Sequence, residues 1–334
     1  RATTGLNHAT YWMLLASAGR KDEAIRLARD YVYPPRSARE VARVAAAFAS
    51  LGLTTESQSY LERYATALGT NEDIWQIYAA VALAAEDWER LRAVALQMRS
   101  IPPLADRLRG FSHYYEGRAD LATGRKAAAL LAFKEASEST FTNPFQAHAI
   151  AQTLINLGFP APARTILEKV ESTFDSKPDY WETLAGLAVT LKDEELLLKA
   201  SREALRLNPT SPILANRYAA ALVVEGNRPS EAVTLTAKLY SELPTSVAVQ
   251  INHSLALLMN YRTEDATAIL SRIEPMRLNR EELSSYHLAK FQLAVQQRDF
   301  AQARQSLGEI ETARLFPAEQ RWIEQARAKI PPEK

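Results

Sequence analysis

The sequence predicts an all-α protein, a linear array of about nine helical hairpins closed by a lone C-terminal helix. Two recurring positions carry this expectation. A small residue on the first helix of each hairpin recurs at Ala45, Ala79, Gly117, Ala151, Ala185, Ala219 and Ser254, in steps of 34, 38, 34, 34, 34 and 35. A small or apolar residue early on the second helix recurs at Ala24, Ser57, Leu91, Ala129, Ala163, Leu197, Ala232, Ala266 and Ala303, in steps of 33, 34, 38, 34, 34, 35, 34 and 37. Two independent slots share one period and the same four-residue insertion, which marks a repeat architecture. A third observation is local. In residues 179–209, Trp181, Leu184, Ala185 and Ala188 share one helical face, and Leu197, Ser201 and Ala204 share another, because residues three and four apart are neighbours on a helix. One such hairpin cannot bury its own apolar faces, so its neighbours are expected to be copies of it.

Taken in order, hairpin one covers about 6–33, with bulky Trp12 where a small residue is expected and Pro34-Pro35 stopping its second helix. Hairpin two covers 37–68, with Gly52 at its turn. Hairpin three covers 71–98 and turns at Glu86-Asp87-Trp88. Ile101-Pro102-Pro103 then breaks the chain, the insertion falls here, and 104–123 reads as one long first helix of hairpin four. Hairpin five opens at Pro144, a favoured first helical residue. Hairpin six is 179–209. Hairpin seven, 212–243, turns at Gly226 and carries an extra residue around Asn227–Pro229. Hairpin eight covers 246–273. Hairpin nine, 280–307, departs from the pattern on its first helix by about two residues. Residues 317–330 form a lone helix with the stripe Trp322, Ala326 and Ile330, as a soluble array end requires. The expected organisation is hairpins one to three over 1–100, hairpins four to nine over 101–316 with a bend near 101–104, and a capping helix and tail over 317–334.

Residues 179–209 resemble a tetratricopeptide repeat (TPR), whose pattern runs W-x2-L-G-x2-Y, then A-x3-F, then P. Trp181 and Leu184 match it; Ala185 and Ala188 stand for the Gly and Tyr, Leu197 and Ser201 for the Ala and Phe, and Pro209 closes it. Trp75, Tyr78, Ala79 and Ala82 keep the family spacing in hairpin three, and Gly117, Gly124, Ala129, Phe133 and Ala136 do so in hairpin four. The resemblance implies a right-handed superhelix with the first helix of each hairpin lining the concave side.

Composition narrows the function. The 40 basic and 39 acidic side chains nearly cancel without a basic stripe, so nucleic acid is not the expected partner. The absence of cysteine removes disulfides, thiol catalysis and zinc–thiolate sites but leaves cytoplasm and periplasm both open. No apolar run approaches the roughly 20 residues a membrane helix needs. Residues 9–18 read as the first helix of the array rather than a signal peptide, since no basic leader precedes them. The sequence begins at Arg1, not Met, and no cap precedes hairpin one, which reads as a trimmed or processed piece of a longer chain.

No chemistry-bearing constellation emerges. The five histidines form no H-E-x-x-H, and no G-x-S-x-G, P-loop or G-x-G-x-x-G occurs. His113 and Glu116 are three apart on a helix, a weak metal pair without further ligands. Asp193-Glu194-Glu195 sits at a helix start, where the macrodipole favours carboxylates. No catalytic residue, metal or cofactor is expected. The expected function is a non-catalytic scaffold that binds a peptide or protein segment in its concave groove. The alternatives are a structural arm of a bacterial envelope, secretion or polysaccharide-export assembly, or the regulatory array of a larger enzyme. The candidate groove residues are Phe111, Tyr114, Tyr115 and Arg118 in hairpin four and Phe145, His148, Gln152 and Asn156 in hairpin five. Glu182, Asn216, Arg217 and Asn252 extend the set through hairpins six, seven and eight. Aromatics and arginine are enriched at interface hot spots, and side-chain amides can bond an extended backbone. A carboxylate clamp of the Lys/Asn kind is not expected, because hairpins six and eight lack the matching lysines.

Overall fold

The computed structural model describes residues 4–68 and 70–332. The expectations that touch Arg1 and the last two residues lie outside them. The described residues hold nineteen α-helices, α1 Gly5–Ser17, α2 Lys21–Arg29, α3 Ala38–Ser50, α4 Thr54–Leu68, α5 Glu72–Ala84, α6 Trp88–Ser100, α7 Pro102–Ala122, α8 Lys126–Glu138, α9 Pro144–Asn156, α10 Pro160–Phe174, α11 Pro178–Leu191, α12 Glu194–Leu207, α13 Pro212–Glu225, α14 Pro229–Glu242, α15 Val247–Met259, α16 Thr263–Leu270, α17 Arg280–Gln297, α18 Phe300–Gly308 and α19 Pro317–Arg327. Among the described residues there is no strand. The helices pair as nine TPR-like hairpins, α1–α2 through α17–α18, followed by α19. The long first helix after the Ile101 break starts at Pro102, with Ile101 itself extended (φ −93°, ψ 105°). The second helix of hairpin one stops at Arg29, short of the Pro34-Pro35 stop read from the sequence.

All nine turns inside hairpins share one backbone device. One or two residues after each first helix the backbone is left-handed, at Gly19, Gly52, Glu86, Gly124, Gly158, Lys192, Gly226, Tyr261 and Arg298. In eight of the nine, the next residue's N–H reaches back five residues to a carbonyl of the first helix at 2.8–3.0 Å, as from Asp87 to Ala82 and from Asp193 to Ala188. This is the Schellman closure of a helix C-terminus. The exception is Gly226, whose own N–H bonds Leu222 and whose turn holds the extra residue expected from the sequence. Glycine reaches this conformation without Cβ strain, and four non-glycine residues are held there by the fold.

The two repeat slots are where the paired helices cross. Ala24, Ser57, Leu91, Ala129, Ala163, Ala232, Ala266 and Ala303 are fully buried on the second helices, as are Ala45, Ala79, Ala151, Ala185, Ala219 and Ser254 on the first. The Ser57 hydroxyl donates to the Ala45 carbonyl at 2.9 Å, which shows how closely the two slots approach. The left-handed residue stands seven positions after the first-helix slot in every hairpin. That ruler puts Trp12 and Phe291 in the slot of the first and last hairpins, both fully buried. The departure of hairpin nine is therefore a longer α17 with an aromatic at the crossing.

The chain divides into two compact units within α10, Arg1–Val170 and Glu171–Lys334. In the first, Trp12 stacks on Phe48 at 5.6 Å and Phe133 packs edge-on against Phe159 at 4.7 Å. Asp120 is buried and accepts Arg125 Nε at 3.0 Å and Nη2 at 2.8 Å. In the second, Trp181 Nε1 donates to the Asp175 carbonyl at 2.8 Å, and the Lys199 ammonium lies 5.3 Å from the Trp181 ring centroid. The acidic turn has two roles. Asp193 caps α12, accepting from Leu196 N at 2.8 Å, while Glu194 reaches across the unit to α19, where Arg321 Nη2 lies 3.1 Å away.

Candidate functional site

The crossing slots also fix which side chains the first helices turn away from the hairpin. Positions three and two before the slot, and one after it, lie together on one helix face. On α3 they are Ala42, Arg43 and Ala46; on α5, Gln76, Ile77 and Ala80; on α7, Tyr114, Tyr115 and Arg118; on α9, His148, Ala149 and Gln152. In the first unit a groove of about 460 Å³ is lined from first helices alone, by Arg39, Arg43 and Ala46 of α3, Asp73, Gln76, Ile77 and Ala80 of α5, Tyr115 of α7 and Gln146 of α9. Its floor of alanines and Ile77 lets a backbone approach closely. Its polar groups are two exposed arginines four apart, one carboxylate and two amides. Gln146 Nε2 donates to Gln76 Oε1 at 2.9 Å, joining α9 to α5. A second depression of about 400 Å³ continues the surface over Met13 and Leu14 of α1, which are 40% and 61% exposed.

The residues singled out from sequence fall in different places. Phe111 is a correction: it lies six positions before the slot, is 2% exposed and packs edge-on against Phe141 at 5.2 Å, so it belongs to the core. Phe145, at the same register one hairpin later, is 67% exposed. The Tyr114 ring is buried between Tyr115 and Phe133, with centroids at 5.2 and 6.3 Å. Its hydroxyl accepts from Arg118 Nη1 at 2.9 Å, and the guanidinium carbon lies 5.9 Å from the ring centroid. Tyr114 thus orients Arg118 and offers little surface of its own. Burial pushes the Tyr115 hydroxyl pKa up and the neighbouring Tyr114 adds to it, while Arg118 opposes, so Tyr115 stays a neutral donor at physiological pH. His148 is half-buried and burial lowers its pKa, keeping the imidazole neutral near pH 7. Gln152 and Asn156 are exposed.

In the second unit, Glu182 and Arg217 face each other at 3.9 Å, and Asn252 Nδ2 donates to Asn216 Oδ1 at 3.0 Å, so first helices α11, α13 and α15 are bridged by the residues expected from sequence. Sequence reading missed Arg39, Arg43, Gln76 and Gln146. The signal was present as an i, i+3, i+4, i+7 stripe on α3 and α5, opposite the slots.

The weak metal pair is occupied by protein. Arg99 donates Nη2 to Glu116 at 2.7 Å and places Nη1 2.7 Å from His113 Nδ1. Burial and then the Arg99 charge hold the His113 pKa down. Among the described residues no three His, Asp or Glu side chains group as a metal site, and no helix is long and apolar enough to cross a membrane.

No family model matches the chain, and no curated protein is similar to it. Among solved structures, it is similar to a tetratricopeptide repeat protein from Parabacteroides merdae at 15% identity, covering 75% of this chain and 95% of that one, with a TM-score of 0.44. A human IFIT1 dimer with PPP-AAAA is similar at 15% identity, 97% and 81% coverage and a TM-score of 0.37. The Cut9–Hcn1 hetero-tetramer of the APC/C is similar at 11% identity, 98% and 70% coverage and a TM-score of 0.37. By its own slots and turns the chain is an array of TPR-like helical hairpins.

Proposed function

We propose that the chain is a protein-interaction scaffold whose first unit holds an extended peptide segment in the groove across α3, α5, α7 and α9. The observation that supports this reading is the lining itself. Four consecutive first helices supply it, with a small-residue floor and with Arg39 and Arg43 exposed and free of ion-pair partners among the described residues. Amides at Gln76 and Gln146, with Gln152 and Asn156 beyond them, bond peptide backbone irrespective of its side chains, while arginines select carboxylates. Tyr115, Arg118, Phe145 and His148 extend the surface along the array; Glu182, Asn216, Arg217 and Asn252 are its counterparts in the second unit. The expected partner is a protein segment carrying acidic residues next to an apolar side chain.

A peptide array of acidic, neutral and basic extended sequences tests this. Binding should follow acidity and weaken about tenfold or more in Arg43→Glu with Gln76→Ala, since each lost charge-assisted contact is worth roughly 1.5–3 kcal/mol. Lys134→Glu, on the exposed side of α8, should bind as the wild type does. Equal affinity of the groove variant and the wild type for every peptide would overturn the groove assignment.

A further inference from the structure

In the second unit the groove register is already covered, and the cover is a later segment of the same chain, residues 312–330. Arg217 and Ala220 of α13 and Asn252 and Leu255 of α15 occupy the same positions, relative to their slots, as the groove residues of α3 and α5. They line a cavity of about 450 Å³ whose opposite wall is Ala313–Phe316 and Glu319. A 3-10 turn at Thr312–Arg314 and then α19 run against the first helices α17 and α13. Leu315 and Phe316 are buried at the entrance and Ile323 and Ala326 further along.

Two features set this contact apart from a repeat stacked on its neighbour. The first is a polar latch at the α11–α12 turn. The Lys192 ammonium donates to the Arg314 carbonyl and lies 5.1 Å from the Phe316 ring centroid. The Glu194 carboxylate accepts from Ala318 N in the first turn of α19 and pairs with Arg321 at 3.1 Å. These partners are more than 120 residues apart in sequence, and they sit where α19 begins. The second is open space beside the helix. Besides the 450 Å³ cavity, spaces of about 230 and 520 Å³ border α19, and both are lined by Trp322. Open clefts on its flanks leave α19 with fewer neighbours to hold it than a helix enclosed on all sides has.

We propose that residues 312–330 are a releasable strap. Docked, the segment occupies the concave face of the second unit in the place of a partner segment. Released, it uncovers Arg217, Ala220, Asn252 and Leu255, the second unit's equivalent of the first unit's groove. The strap is a helix with an apolar face, introduced by an aromatic residue and a proline and carrying a basic residue in its second turn. A partner segment that displaces it would present the same chemistry to Lys192 and Glu194. This inference stands apart from the assignment of the first unit's groove, because its observations all lie in the second unit.

Amide hydrogen exchange on the full chain, read peptide by peptide, tests it. In the wild type, α19 should exchange at least tenfold faster than α15 and α17, through an opening that leaves those helices protected. Glu194→Ala should speed α19 a further tenfold and leave α15 and α17 unchanged; Asp193, the cap of α12, remains in place, so α12 should fold. Arg321→Ala, on the exposed side of α19, should act in the same direction more weakly. If α19 exchanges no faster than α15 and α17, or if Glu194→Ala speeds all three equally, α19 is an integral part of the core and the strap reading fails. An unchanged α19 rate in Glu194→Ala would overturn the latch.

Discussion

Gly117→Ala tests the claim that small residues at the slots set the distance between paired helices. A Cβ built at Gly117 lies 2.5 Å from Phe133 Cε1 and 2.6 Å from Cδ1. Unstrained carbon contacts are about 3.5–4.0 Å, so α7 and α8 would have to part by roughly 1 Å. The Phe133 ring cannot swing aside, because it is fully buried against Phe159 and Tyr114. Overpacking of this kind costs about 1–3 kcal/mol, and alanine in a helix interior returns about 0.5–1 kcal/mol over glycine. The net expectation is a loss of about 1–2 kcal/mol. Gly186 is the internal control: it lies mid-helix in α11, with nothing within 4 Å of its would-be Cβ. Gly186→Ala should therefore stabilise by about 0.5–1 kcal/mol. Amide-exchange protection of α7–α8 and of α11–α12, with urea midpoints alongside, reads each effect in its own hairpin. A Gly117→Ala protein as well protected in α7–α8 as the wild type would refute the slot argument.

Three further outcomes are expected. Asp120→Ala, which strips buried acceptors from Arg125 and Arg92, should cost about 1–3 kcal/mol in urea denaturation. At the left-handed turns, Gly52→Ala should destabilise by about 1 kcal/mol and Arg298→Gly, at an exposed φ of 62°, should be neutral or stabilising by a few tenths, with both read as shifts in Tm. Docking of α19 should weaken as pH rises. Burial lifts the Glu319 carboxyl from 4.5 to about 7, the Glu194 charge adds to this, and the Phe316 N–H and the Lys192 ammonium oppose it; Arg217, Glu281 and Arg314 line the same cavity. The docked form therefore holds a proton that the released form gives up, so the contribution is complete below pH 4.5 and is lost as pH passes through 7. It amounts to at most about 3 kcal/mol. Protection factors of α19 should fall between pH 4.5 and 7, and in Glu319→Gln they should not.

The hairpins were legible because each is a local object. Its helix faces repeat every three and four residues, and its slots every 34, so Ala151, Ala163 and Ala185 announce themselves without any knowledge of the fold. The left-handed turns were half legible. Glycine at 52, 124, 158 and 226 is a turn signal, whereas Glu86, Lys192, Tyr261 and Arg298 take the same conformation because the flanking helices hold it, and nothing in their side chains says so. Phe111 and Phe145 share a register and differ in burial: Phe141, arriving from the next joint, packs edge-on against Phe111, which is 2% exposed, while Phe145 stays 67% exposed. The docking of α19 on Lys192 and Glu194 was illegible for a different reason. Periodicity reports which face of a helix is apolar and is silent on which distant turn that face meets.

The shared turn device has a consequence for how such a chain can change length. Residues 144–177 comprise one full period, from the first residue of α9 to the one before α11. Removing them would join Asn143, which now caps α9, directly to Pro178, the first residue of α11, and so supply that helix with a ready cap. The seam would fall between hairpins, where the insertion after Ile101 shows that length already varies, and every turn and crossing on either side would keep its spacing. The hairpin is in this sense a cassette, and the number of cassettes is a quantity that duplication or excision can alter without redesigning any one of them.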